Sequence, residues 1–340
     1  MEFVTLNNGV EMPILGYGVY QVEPGECERC VLDAIEVGYR SIDTAQAYYN
    51  EEGVGAAVAK CGVARDQLFL TTKVWISNGG YEKAKASIEE SLRKLKSDYI
   101  DLMLIHQPFN DYYGTYRAME EAYREGKLRA IGVSNFYPDR LVDLCQFVEI
   151  TPAVNQVETH PFLQQGAAHE IMKKYGVQHE SWGPFAEGKK GMFSNPVIQE
   201  IGGKYGKSAA QTILRFLIQS DVVVIPKSTH QARMAENFDV FDFSLSEADM
   251  EAIRGLDEGT SAFLSHQDPA TGDVLTSLHG RKERKDGLCA IGRLGYQGLT
   301  SLRRLHELRR PRKQDARMDA GPAEKRRDHQ ACPGTRHQFF

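Results

Sequence analysis

The sequence has no apolar run long enough to cross a membrane. A transmembrane helix needs about 20 consecutive apolar residues, and no run in the 340 residues approaches that length. The N-terminus also lacks the basic segment followed by an apolar one that is typical of a secretory signal. We therefore expect a cytoplasmic protein without a membrane partner.

Cysteine is scarce, with 6 residues in 340. Cys27 and Cys30 form a C-x-x-C pair, a spacing found in redox and metal sites. Cys27 nevertheless shares a helical stripe with Val31, and Cys61 and Cys145 lie on similar apolar stripes. The pattern favours small buried side chains in a reducing compartment, and no metal is expected.

Two glycine-rich stretches lack the residues that would make them nucleotide-binding motifs. Residues 16–21 read GYGVYQ, whereas the dinucleotide fingerprint needs glycine at the sixth position and a helix opening there. Residues 202–208 read GGKYGKS, but Ile201 stands where a P-loop needs glycine, and the residues before it predict a helix. We interpret Gly206 as a helix stop and Ser208 as the cap of the next helix, so no nucleoside triphosphate is implied.

The charge is divided unevenly along the chain. Residues 271–340 contain 16 Lys and Arg against 8 Asp and Glu, whereas residues 1–270 contain 25 against 38. Few residues of the basic segment could form a core, so we expect residues 1–270 to form one domain and residues 271–340 a disordered or poorly packed tail. Its composition changes so abruptly that we hypothesise it is not a natural extension. Without a fold motif or interleaved aromatics, its basic runs do not predict a nucleic-acid partner.

Short apolar runs alternate with segments of helical period through residues 1–270. Asn7-Asn8-Gly9 between two short strands predicts an N-terminal β-hairpin. After it, eight apolar runs end near Gly18, Asp43, Thr72, Ile105, Val133, Val157, Ser181 and Ile225. Eight such units predict an α/β protein with a (β/α)8 TIM barrel rather than an open doubly wound sheet.

Polar side chains follow three consecutive strands of this predicted barrel. One strand ends at Asp43, with Tyr48 five residues later, and the next two end at Lys73 and His106. The loops after the strands form the active sites of such barrels, so we expect these side chains to converge. Lys73 would then lower the pKa of the Tyr48 phenol, Asp43 would hold Lys73, and His106 would face them. This is a proton-donating site for a carbonyl group.

Three long segments resemble the signatures of the aldo-keto reductase family. They are GYRSIDTA at 38–45 with Tyr48, KLRAIGVSNF at 127–136, and IPKS at 225–228 with Arg233, Glu236 and Asn237. The segments at 106–109 and 184–188 are similar to the bacterial branch that includes 2,5-diketogluconate reductase and prostaglandin F synthase-like enzymes. The resemblance extends to about Asp268 and ends before the basic tail.

The resemblance implies NADPH-dependent reduction of aldehydes or ketones to alcohols, with ketosugars and dicarbonyls among the candidate substrates. The catalytic residues would be Asp43, Tyr48, Lys73 and His106, with hydride from nicotinamide and the proton from Tyr48. The family's NADP(H) contacts fall on Gly18, Val19, Tyr20, Asp43, Ser134, Asn135, Gln156, Trp182, Lys227, Ser228, Arg233, Glu236 and Asn237. The predicted substrate pocket consists of Tyr20, Tyr49, Trp75, His106 and Phe109. The family also implies a monomer.

Two other functions stay open. Some family members associate with other proteins, so the chain could be a non-enzymatic NADP-binding regulatory subunit. Lys73 could instead form a Schiff base in a barrel aldolase, but that chemistry needs a neutral amine, which a neighbouring Asp43 disfavours. The sequence offers no account of His179 and Glu180, which are more polar than a barrel interior requires.

Overall fold

The chain begins with the predicted hairpin. The structure, a computed structural model, describes residues 2–277. Strand β1 (Phe3–Thr5) pairs antiparallel with β2 (Glu11–Pro13). Gly9 in the turn between them has a φ of 84°, a conformation that glycine adopts without steric cost. The hairpin prediction is confirmed.

Eight parallel strands follow in sequence order around one sheet. They are β3 (Tyr17–Gly18), β4 (Ser41–Asp43), β5 (Phe69–Val74), β6 (Ile100–Ile105), β7 (Leu128–Ser134), β8 (Val154–Glu158), β9 (Gln178–Trp182) and β10 (Val223–Val224). Leu15, just before β3, forms a parallel bridge with Val224 of β10. The amide of Gly16 donates to the carbonyl of Val224 at 2.8 Å. The first and last strands therefore meet, and the predicted (β/α)8 barrel is confirmed.

Helices cover the outside of this ring, and most of them bury one apolar stripe. They are α1 (Pro24–Val37), α2 (Glu51–Lys60), α3 (Tyr81–Leu95), α4 (Tyr112–Arg124), α5 (Pro138–Phe147), α6 (Gly166–Lys174), α7 (Pro196–Tyr205), α8 (Ala209–Gln219), α9 (Gln231–Phe238), α10 (Glu247–Arg254) and α11 (Pro269–Ser277). Cys27 and Val31 of α1 are fully buried, as the stripe predicts, and Cys30 is buried too, whereas Cys61 and Cys145 are only partly buried. Within residues 2–277, no helix has the length and hydropathy to span a bilayer.

The glycine-rich stretch at residues 202–208, which resembles a P-loop, contains the junction between two helices. Gly206 ends α7 in the left-handed conformation with a φ of 67°. The Ser208 hydroxyl then accepts a hydrogen bond from the amide of Gln211, and the Gln211 side chain accepts one from the Ser208 amide. This reciprocal pair is a capping box, so the predicted helix stop and cap are both confirmed.

The predicted tail begins inside α11, which spans the predicted boundary at residue 270. Thr271 is buried, and a Cβ on Gly272 would lie 3.4 Å from the Phe109 ring. The first residues of the segment thus pack against the loop that follows β6. The remainder of the predicted tail lies outside the described residues.

Candidate active site

An enclosed ion pair lies at the C-terminal edge of the barrel. The parallel pairing of β4 with β5 brings Asp43 beside the strand that carries Lys73. Lys73 Nζ donates to Asp43 Oδ1 at 2.5 Å and to the carbonyl of Thr44 at 2.9 Å. Lys73 is 0% exposed and Asp43 2%. Two buried opposite charges with hydrogen bonds between them satisfy each other, whereas either alone would be costly.

Tyr48 stands over this pair and contacts two aromatic rings, those of Tyr20 and His106. It ends a 3-10 turn (Gln46–Tyr48) directly after β4. Lys73 Nζ lies 5.0 Å from the centroid of its ring. The ring centroids of Tyr20 and His106 lie 5.0 and 5.5 Å from that of Tyr48, and Trp75 lies 5.0 Å from His106. The ends of β3, β4, β5 and β6 therefore converge on one phenol, as the spacing predicts.

The expected electrostatics of Tyr48 are wrong in direction. Burial, followed by the negative charge of Asp43, raises the pKa of Tyr48 well above its ordinary value of 10.0. The predicted effect of the Lys73 cation is outweighed by the loss of water around the phenol and by the negative charge of Asp43. Tyr48 therefore keeps its proton throughout the neutral range. A protonated phenol is the form that a proton donor requires.

His106 is uncharged at neutral pH. Burial lowers the pKa of its imidazole well below 6.5, and the nearby Lys73 lowers it further. Its Nδ1 is buried and has no hydrogen-bond partner among residues 2–277. A neutral imidazole can offer one N–H to a polar ligand without adding a charge to the site.

A polar cluster lies beside the ion pair, on β7, β8 and β9. The Ser134 hydroxyl donates to the carbonyl of Gln156 at 2.8 Å and accepts from Asn135 Nδ2 at 3.1 Å. Trp182 Nε1 donates to Asn135 Oδ1 at 2.8 Å. Gln156 Nε2 in turn donates to Asp43 Oδ2 at 2.9 Å. The four residues predicted to hold nicotinamide are thus joined to each other and to the Lys73–Asp43 pair.

Glu180 belongs to the same cluster, although the sequence reasoning assigned it no role. Its Oε2 accepts a second hydrogen bond from Gln156 Nε2, at 3.0 Å. Burial, followed by the charge of Asp43, raises the pKa of Glu180 above its ordinary value. Its neighbour His179 points elsewhere, with hydrogen bonds to Thr159 and His169. The signal that could have revealed Glu180 is its position, because it shares the inward face of β9 with Trp182.

The residues predicted to bind the adenosine phosphate lie after β10 and on α9. Lys227 and Arg233 are exposed, and the Ser228 hydroxyl accepts from the amide of His230 at 3.1 Å. On the same helix Glu236 is exposed and Asn237 buried. Arg29 of α1 also reaches this region, where its guanidinium donates to the carbonyl of Thr229 at 3.4 Å.

The β3 end of the site is held by backbone hydrogen bonds. The amide of Gly18 donates to the carbonyl of Pro226, and that of Val19 to the carbonyl of Asp43. A Cβ on Gly18 would lie 3.0 Å from the carbonyl oxygen of Ile225, so glycine lets the two backbones approach without a tight contact. The bonds hold the turn that presents Tyr20, which is 39% exposed at the rim.

Tyr49 and Phe109 are the remaining two residues of the predicted substrate pocket. Tyr49 is 45% exposed and has a φ of 56°. Phe109 packs between α11 and the guanidinium of Arg140, which lies 5.5 Å from its ring centroid.

The segment at residues 263–266, before α11, also reaches the site. His266 Nε2 and Gln107 Oε1 are hydrogen-bonded at 2.8 Å, and the ring centroids of Phe263 and Trp182 lie 5.4 Å apart. Sequence reasoning did not anticipate these contacts.

Fold and site together define a barrel enzyme with acid–base chemistry. The sequence profile of the Aldo/keto reductase family matches residues 15–258. The chain is 50% identical over 259 residues to glyoxal reductase of Bacillus subtilis, covering 76% of this chain and 93% of that protein. It is 44% identical to methylglyoxal reductase DkgA of Escherichia coli, covering 75% and 94%.

A solved structure of an aldo-keto reductase from Bombyx mori in complex with NADP aligns with a TM-score of 0.74 at 34% identity, covering 77% of this chain and 95% of that one. The chain therefore belongs to the aldo/keto reductase family. This confirms the predicted family and the predicted class of enzyme, an oxidoreductase that acts on carbonyl groups.

Proposed function

We propose that this protein reduces small aldehydes and ketones with NADPH, with Tyr48 as the proton donor. The observation that carries the proposal is the position of the Tyr48 phenol over the enclosed Lys73–Asp43 pair, at the barrel edge where such enzymes act. The non-enzymatic alternative has no support, because the relatives above are named as reductases.

The cofactor is NADP(H), and the residues at the site fit it. Trp182 offers an indole face for the nicotinamide, and Ser134, Asn135 and Gln156 offer amide and hydroxyl groups for its carboxamide. Lys227 and Arg233, exposed after β10, suit the 2′-phosphate of the adenosine. When bound, the cofactor supplies the hydride.

The protein's own residues handle the proton. Tyr48 donates its proton to the carbonyl oxygen as negative charge develops there. Lys73 then stabilises the tyrosinate that remains, so its contribution arises during the reaction rather than in the resting site. Asp43 holds Lys73 in place, and the neutral imidazole of His106 orients the carbonyl oxygen.

The substrate class is that of small carbonyl compounds, with dicarbonyls first. The relatives named above act, by their names, on glyoxal and methylglyoxal. The site wall of Tyr20 and Trp75 also suits apolar parts of larger aldehydes. Ketosugars remain candidates on the same chemistry.

The aldolase alternative conflicts with the hydrogen bonds of Lys73. Its Nζ is committed to Asp43 and Thr44 and is buried, so it offers no free amine to a carbonyl carbon. Borohydride treatment in the presence of methylglyoxal is therefore expected to leave Lys73 unmodified. A stable adduct on Lys73 would favour the aldolase.

The direct test follows the loss of NADPH absorbance with methylglyoxal, glyoxal and a nitrobenzaldehyde. We expect turnover with at least one of these and a slower rate with NADH. Tyr48→Phe should lose this turnover, and Tyr175→Phe is its matched control, since Tyr175 accepts a hydrogen bond from Gln146 on the barrel exterior. Absence of NADPH oxidation with every carbonyl in the panel would refute the proposal.

We also propose a cytoplasmic monomer whose enzyme domain is residues 1–270. Cys27, Cys30, Cys61 and Cys145 are free thiols, which suits a reducing compartment. Light scattering coupled to gel filtration is expected to give the mass of one chain, 38.2 kDa. Twice that mass would contradict the monomer.

A further inference from the structure

Glu180 is an enclosed carboxyl group that the proposed reaction does not use. It lies in the middle of β9 and is 0% exposed. Its Oε2 accepts from Gln156 Nε2 at 3.0 Å, while its Oε1 is buried without a hydrogen-bond partner among residues 2–277. Burying a carboxyl group that is only half satisfied costs stability. An apolar side chain would fill the same position without that cost.

The single contact of Glu180 constrains Gln156. The parallel register pairs Gln156 with Glu180 directly, across β8 and β9. Gln156 Nε2 has two N–H groups, and the two carboxyl groups take both, Asp43 Oδ2 at 2.9 Å and Glu180 Oε2 at 3.0 Å. Turning the amide over would place its oxygen against the Asp43 carboxylate and would remove both of these donated hydrogen bonds. The amide therefore has one orientation, and its Oε1 is left to accept a hydrogen bond from a ligand.

Asp43 alone would not fix this orientation as well. With only one carboxyl partner, Gln156 could rotate about its last side-chain bond and keep a hydrogen bond to Asp43. The second partner on the neighbouring strand removes that freedom. Burial, followed by the charge of Asp43, raises the pKa of Glu180 and so favours its neutral form, which still accepts through Oε2.

We propose that Glu180 is a positioning residue for the reaction: it fixes the amide of Gln156 in the orientation that receives the nicotinamide carboxamide. The inference rests on the proposed function, because it takes Gln156 as a cofactor contact. This role accounts for a polar side chain at position 180 of β9, where packing does not require one. Ordering the receptor group before binding reduces the entropy that the cofactor must overcome.

The test is a double-mutant cycle on NADPH affinity, measured by fluorescence titration. Glu180→Leu and Gln156→Leu are each expected to weaken NADPH binding roughly tenfold, the size of one net hydrogen bond. In combination they should weaken it no further than Gln156→Leu alone, because Glu180 acts only through Gln156. Glu180→Gln keeps an acceptor oxygen and should restore affinity to within about twofold of wild type.

A purely structural role would give a different pattern. Additive losses in the cycle, or wild-type affinity in Glu180→Leu, would overturn the inference. His169→Gln is the matched control, since His169 contacts β9 through His179 on the outward side, and it should bind NADPH normally. If Glu180→Leu does not fold, Glu180→Met takes its place in the cycle.

The same assay separates this inference from the proposed function. NADPH affinity is measured without turnover. If the double variant binds NADPH no more weakly than Gln156→Leu but the wild type reduces no carbonyl, Glu180 is still a positioning residue and the proposed function is refuted. Turnover by the wild type with an additive cycle would do the reverse. Steady-state kinetics should agree, with a raised KM for NADPH and little change in the KM for methylglyoxal.

Discussion

The buried ion pair between Asp43 and Lys73 makes a quantitative prediction about stability. Asp43→Asn leaves Lys73 as an unpaired ammonium with 0% exposure, and Lys73→Met leaves Asp43 with Gln156 as its remaining side-chain donor. Removing one partner of a buried pair costs about 3 to 5 kcal/mol, because the other charge stays buried without compensation. Each single variant should lose this much free energy of unfolding.

The double variant, Asp43→Asn with Lys73→Met, should recover most of that loss. It buries two neutral groups of similar volume, and such replacements of a buried pair are often neutral or stabilising. All three variants should nevertheless lose carbonyl reduction, because each removes the group that stabilises the tyrosinate or the group that holds it. Stability and activity thus separate within one set of proteins.

The assay is urea denaturation at neutral pH, followed by circular dichroism. Glu90 and Arg93 form the control pair on the surface, where the side chains are 46% and 63% exposed. Their variants should change the free energy of unfolding by less than about 1 kcal/mol. Single Asp43 or Lys73 variants as stable as wild type, or a double variant that loses the sum of both, would refute the reasoning.

Three other predictions follow from the charge states and contacts of the site. Tyr48 stays protonated and His106 stays neutral, so kcat/KM with methylglyoxal should be level from about pH 7 to 9. The measurement uses a Glu180→Gln background, which removes the titration of the Glu180 carboxyl group from the profile. A break in this range would count against those two charge states. The pKa of Glu180 is raised in the folded state, so the folded wild type keeps a proton that the unfolded chain releases above pH 4.5. The free energy of unfolding of wild type relative to Glu180→Gln should therefore fall as the pH rises above 4.5. Parallel stability curves for the two proteins would contradict this. Glu158 is buried and accepts from the amide of Ala262 at 2.8 Å, so Glu158→Leu should release the segment that carries Phe263 and lower the melting temperature, whereas an unchanged melting temperature would show the contact to be dispensable.

Much of the barrel could be predicted because its determinants are local. The eight strand ends lie within two residues of their predicted positions, since apolar runs and turn residues are written along the chain. The cap at Ser208 and the hairpin turn at Gly9 are set by neighbouring residues alone. The convergence of Tyr48, Lys73 and His106 followed from one rule, that strand ends of a parallel barrel share an edge.

The remaining features depend on burial and on contacts between distant residues. The direction of the Tyr48 pKa shift depends on how completely the fold removes water and neutralises Lys73, which no local pattern reveals. Glu180 and Gln156 are 24 residues apart and meet only through the register of β8 and β9. The packing of the segment after residue 260 on Trp182 and Gln107 is a contact of the same kind.

The central claim is that the phenol of Tyr48 supplies the proton for carbonyl reduction. The most direct measurement compares methylglyoxal reduction by wild type and Tyr48→Phe at saturating NADPH, with NADPH affinity determined in parallel. We expect a loss of about 10² to 10⁴ in kcat, the range of general acid catalysis, with NADPH affinity nearly unchanged. A Tyr48→Phe enzyme that keeps the kcat of wild type would contradict the account.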